Sequence, residues 1–139
     1  MKVFFDTNVY VSEALTGGRA ERILKATLAA RWRIYSSDYL LDELQRVLDE
    51  DLRLGQRLAV RARERAQRRS TLIRAPASRH EVPQDLNDSP ILKAALAAGA
   101  DYLVSNDRHL LALDPYEGLR VLSMAQYEEV LRSQALLSD

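Results

Sequence analysis

Short apolar runs alternate with longer stretches of helical periodicity along the whole chain. Five runs predict strands: Lys2 to Asp6, Arg33 to Ser36, Thr71 to Ile73, Tyr102 to Ser105 and Arg120 to Leu122. Between the first two, Ala20, Ile23, Leu24, Thr27 and Leu28 recur at helical spacing behind the Gly17-Gly18 break, which predicts one amphipathic crossover helix. Ser36 and Ser37 offer N-caps for a helix with Leu40, Leu44, Val47 and Leu48 on one face, and Arg57 to Arg69 forms its Ala- and Arg-rich partner. Ala75 to Pro90 holds three of the four prolines and reads as a loop. It leads into a helix with Ser89 as N-cap, Pro90 at the first position and Gly99 beyond the end. Ser123-x-x-Gln126 forms a capping box for a last helix with Tyr127, Val130 and Leu131 inward. Strands alternating with helices predict an α/β fold, a parallel sheet covered on both faces.

A length of 139 residues fits a single domain over 1–139. No apolar run approaches the roughly 20 residues needed to span a bilayer. The first strand begins at once, without a basic stretch or apolar leader, so a cytoplasmic protein is expected. Cysteine is absent, which excludes disulfides, thiol nucleophiles and thiolate metal sites. Two histidines, His80 and His109, are too few for an imidazole site, so any metal would take oxygen ligands and be a hard ion such as Mg²⁺ or Mn²⁺. Twenty basic residues balance twenty acidic ones, so attraction to a polyanion would rest on charge distribution.

Four acids stand where such a sheet exposes its loops. Asp6 closes the first strand, and ligands of open α/β sheets bind outside the carboxyl ends of strands. Glu43 lies three residues after Leu40 and four before Val47, within or beside an apolar stripe where a charge needs a partner. Asp88 precedes the helix of Ile91 and Leu92, and Asp107 follows the strand Tyr102 to Val104 by a short link. Each has a structural explanation as well: turn residue, buried ion pair, helix cap, turn cap. Together they would repel one another at one rim unless a cation sat among them, and a divalent ion resolves that conflict. Asp101, at the opposite end of its strand, falls outside the group.

These residues resemble the PIN-domain family, in its VapC-like toxin branch. The likeness lies in Asp6-Thr7-Asn8 after the first strand, Glu43 on an early helix, Asp85-x-x-Asp88-x-x-Ile91-Leu92, and Ala100-Asp101-Tyr102-Leu103-Val104-Ser105-Asn106-Asp107. It implies a three-layer α/β/α fold with a parallel sheet of four to five strands. It also implies a Mg²⁺- or Mn²⁺-dependent endoribonuclease with Asp6, Glu43, Asp88 and Asp107 as catalytic metal ligands, a small antitoxin partner and a homodimer. The family commonly has Thr where Ser105 stands, a hydroxyl for a hydroxyl. Asp85 is placed to tune or cap.

Thr7, Asn8 and Ser105 are candidates to hold the acids by hydrogen bonds, or equally to bond local turns. Water acting as nucleophile predicts 5′-phosphate and 3′-hydroxyl ends. Arg19, Arg22 and Arg108 are the candidate RNA contacts nearest the rim. The run Arg57, Arg61, Arg63, Arg65, Arg68 and Arg69 reads as a solvated face or a guide for phosphate. Leu52, Leu54 and Leu58 are candidates for antitoxin contact, while Tyr10 and Trp32 are expected to pack rather than stack a base. Two other functions fit less well: a non-catalytic RNA- or protein-binding module, and a phosphoaspartate phosphatase or receiver, whose second acid or late lysine is not matched.

Overall fold

A computed structural model describes residues 1–74 and 89–138. Five parallel strands form one sheet in the order β3-β2-β1-β4-β5: β1 (Lys2–Phe5), β2 (Arg33–Ser36), β3 (Thr71–Leu72), β4 (Tyr102–Val104) and β5 (Arg120–Leu122). Each expected strand lies within one residue of the observed one. β1 is central because Val3, Phe4 and Phe5 are apolar toward both faces, and all three are fully buried. Val3 pairs with Ile34 on one side and Tyr102 on the other.

Seven helices are formed among the described residues: α1 (Thr7–Thr16), α2 (Gly18–Ala29), α3 (Asp38–Arg46), α4 (Gln56–Arg68), α5 (Ser89–Ala97), α6 (Arg108–Leu111) and α7 (Met124–Ser133). α2 packs on α7, while α3 packs on α4 and α5, giving three layers. Ser37 caps α3 by accepting from the Leu40 amide, and Ser123 and Gln126 close the expected capping box of α7. α3 passes directly into a π-helical turn, Val47–Asp51.

The first crossover differs from the expected single helix. α1 precedes α2, with Gly17 at φ 71° between them. Its inward face carries Thr7 and Glu13 beside Val9 and Tyr10, all buried, so the helix is real but its apolar stripe is broken. Trp32 stacks on Tyr102 at 6.2 Å, and Tyr10 meets Phe5 edge-on, so both aromatic residues pack as expected. The loop expected between Ala75 and Pro90 lies outside the described residues up to position 88. No helix among the described residues is long and apolar enough to cross a membrane.

Candidate active site

Two backbone bonds extend the sheet past its strand ends: the Asp6 amide donates to the Val104 carbonyl at 2.9 Å, and the Ser105 amide to Leu122 at 2.9 Å. Asp6 and Ser105 are thereby aligned on neighbouring strands at one rim. Asp101 is at the other rim, where it accepts from the Lys2 amide at 2.8 Å.

Asp6 is buried and N-caps α1, its Oδ1 accepting from the Thr7 amide at 2.7 Å. Its Oδ2 accepts from the Ser105 hydroxyl at 2.7 Å and the Asn8 side-chain amide at 3.3 Å. The Ser105 oxygen in turn accepts from the Asp107 amide at 3.0 Å and from Asn8 Nδ2 at 3.3 Å. Asp107 caps α6, its Oδ1 accepting from the His109 amide at 2.7 Å. Glu43 comes from α3, half-buried, and receives a short hydrogen bond from the Thr7 hydroxyl. Asp6, Thr7, Asn8, Val11, Glu43, Val47 and Asp107 line a cleft of about 260 Å³.

Burial pushes the Asp6 carboxyl up to about 6; the Ser105 and Thr7 hydrogen bonds oppose this, and the nearby charges of Glu43 and Asp107 add to it. An all-oxygen donor set around a buried carboxylate, with two further acids nearby, fits a hard divalent cation. Among the described residues no three acids are already drawn together at metal-binding spacing. Glu43 is held by Thr7, and Asp107 is turned partly onto its own helix. Asp85 and Asp88 lie outside the described residues. No lysine lines the cleft among the described residues, unlike the receiver arrangement.

The expected RNA contacts divide. Arg108 is exposed beside Asp107 and makes no ion pair among the described residues. Arg19 and Arg22 do not line the cleft; both reach Glu128 of α7 at 3.4 Å. The basic run is partly internal. Arg69 makes a bidentate pair with buried Glu13 at 2.7 and 2.8 Å and lies over the Tyr10 ring, Arg65 reaches Glu13 at 3.5 Å, and Arg63 binds Asp42 at 2.6 Å. Glu13 and Glu128, missed in the sequence, carried a signal: Glu13 is four residues after Val9, and Glu128 is three before Leu131, each inside a buried stripe.

A family model for the PIN domain matches residues 2–109. The chain belongs to the PIN-domain family. PIN domains are nucleases of the hydrolase class. Among solved structures, this PIN domain is similar to VapBC2 from Rickettsia felis bound to a DNA fragment from their promoter. The TM-score is 0.67 at 21% identity, covering 88% of this chain and 98% of that one. At that identity the likeness is one of fold. A search of curated proteins finds no match. In this PIN domain the Ser105 hydroxyl donates to the Asp6 carboxylate and its oxygen accepts from the Asp107 backbone amide.

Proposed function

We propose that this PIN domain is a Mg²⁺- or Mn²⁺-dependent endoribonuclease that hydrolyses RNA phosphodiester bonds, and that it is the toxin of a toxin-antitoxin pair. The observation that carries the reading is the cleft that Asp6, Glu43 and Asp107 line together. Asp6, Glu43, Asp107 and Asp88 would hold the ion. A divalent cation bound there would neutralise phosphate charge and raise the acidity of water.

The chain's own residues do the positioning. Ser105 and Asn8 fix Asp6 Oδ2, so the carboxylate keeps one rotamer despite burial. Thr7 restrains Glu43 from the helix opposite. Water as nucleophile leaves 5′-phosphate and 3′-hydroxyl ends, whereas attack by the ribose hydroxyl leaves a cyclic phosphate. The test is cleavage of a mixed RNA pool by wild type and Asp6→Asn with Mg²⁺, Mn²⁺ or EDTA, with ends mapped. Metal-dependent cutting lost in the variant is expected. Cutting that persists in EDTA, or cyclic ends, would overturn the reading.

Support for a protein partner comes from the surface of the π-turn and α4. Leu52, Leu54 and Leu58 are exposed there, and Arg57 and Arg61 make no ion pair among the described residues. An acidic antitoxin segment with apolar anchors suits that mixture. The similar Rickettsia felis structure is of a VapBC2 pair. Inhibition of RNA cleavage by a co-expressed antitoxin, relieved by Leu54→Asp and Leu58→Asp, is the expected result.

A further inference from the structure

Glu128 is 3% exposed, yet it is surrounded by three guanidiniums. Its Oε2 meets Arg19 Nε and Arg22 Nη2, both at 3.4 Å, and its Oε1 meets Arg132 Nη2 at 2.7 Å. Buried Glu13 is met by a bidentate Arg69 with Arg65 at 3.5 Å, whereas Glu128 gathers three guanidiniums. A second and third cation add repulsion to the local charge. Exposed Glu129 also lies 3.9 Å from Arg132.

The donors left over face outward. Arg19 turns its Nε inward and Arg22 one terminal nitrogen, while their side chains remain 49% and 54% exposed. A buried acid thus holds two half-exposed forks in place, with unused N–H groups toward solvent, an arrangement matched to phosphate. The bracket is also tied to the candidate active site. The Met124 amide at the start of α7 donates to the Asn106 side chain at 3.0 Å, and Asn106 precedes Asp107. Glu128 follows Met124 by one helical turn, about 6 Å along the axis.

We propose that Arg19 and Arg22 form a subsite for a backbone phosphate of single-stranded RNA flanking the cleavage position, with Glu128 as their positioning residue. The proposal rests on the ribonuclease reading above and adds to it where the strand is gripped. Glu128 does not touch the RNA; it aims the two guanidiniums from the helix beneath.

The test measures binding of a fluorescent single-stranded RNA to Asp6→Asn protein in Mg²⁺ across a salt series. Adding Arg19→Gln and Arg22→Gln should weaken binding about fivefold and make the log–log salt slope shallower by about 0.7 for each phosphate no longer neutralised. Glu128→Gln separates positioning from bulk charge by sign. Bulk attraction predicts tighter binding after removal of an acid, whereas a failure of positioning predicts weaker binding. In the active background the arginine variant should raise KM and keep kcat. An unchanged salt slope in the double arginine variant overturns the proposal while leaving the nuclease intact, even where Glu128→Gln fails to fold. Unchanged RNA binding, with binding of a polyglutamate peptide abolished, would assign the arginines to an acidic protein and overturn it too. If the Asp6→Asn parent binds no RNA, the subsite and the ribonuclease reading both fall.

Discussion

The Ser105 hydroxyl donates to Asp6 Oδ2 at 2.7 Å from a position 99 residues along the chain. That bond joins the ends of two neighbouring central strands, and the Ser105 side of it is fully buried. The same oxygen accepts from the Asp107 amide, so one hydroxyl sets the spacing of two acids.

Ser105→Ala should therefore lower metal-dependent cleavage by about 10- to 100-fold, the usual cost of removing a hydrogen bond that supports a metal ligand. Stability should fall by only about 1–2 kcal/mol, from buried groups left without a partner. Ser105→Thr, which keeps the hydroxyl, should recover most of the activity. Initial rates at saturating Mg²⁺, with a denaturation curve for each variant, decide the point.

Asp6 gives a pH prediction whose sign follows from its raised pKa, about 6 folded against 3.8 as the ordinary value. Between those values the metal-free native state binds more protons than the unfolded chain, so stability falls as pH rises from about 4 through 6. Asp6→Asn lacks that charge. In EDTA at about pH 7.5 it should be more stable than wild type by up to about 3 kcal/mol, with the difference shrinking toward pH 4. Thermal melts across that range suffice, and equal curves at high pH would refute the raised value.

Thr7→Val removes the hydroxyl that restrains Glu43 while preserving side-chain shape. A loss of about tenfold in cleavage is expected, with weaker metal binding by calorimetry and stability changed by less than about 1 kcal/mol. A larger fall in stability than in activity would show that the bond serves the fold instead.

Glu13 and Arg69 fasten α1 to the end of α4, and their side chains are only 5% and 13% exposed. Glu13→Gln should cost about 3–5 kcal/mol by taking the carboxylate from buried Arg69, and Arg69→Met less than that, because Arg65 stays 3.5 Å from Glu13. Glu13→Leu combined with Arg69→Met should recover much of that loss. Urea denaturation of the three variants measures the coupling, and additive losses would contradict it.

The sheet and five of the helices were legible because their apolar positions keep one period and their ends carry caps, as at Ser37 and Ser123. α1 was not, since Thr7 and Glu13 interrupt its buried face. That Asp6, Glu43 and Asp107 would line one cleft was legible because each sits at a place dictated by topology. Glu13 was hidden because Arg69, which makes its burial tolerable, stands 56 residues away; Glu128 has Arg132 one turn on, and only its contact with Arg22 spans 106 residues. The same long-range pairing explains why the basic run of α4 looked freer than it is: Arg63, Arg65 and Arg69 already have acidic partners.

Asp6 and Asp107 are each the cap of the helix that follows them, α1 and α6. Asparagine caps a helix about as well as aspartate. If these acids hold the ion as proposed, replacing either by Asn would weaken that hold while keeping the helix cap, and at Asp6 would also remove a buried charge. Under the proposed function, a lineage released from the need to cut RNA would have a short route to a folded, inert descendant that could still occupy an antitoxin.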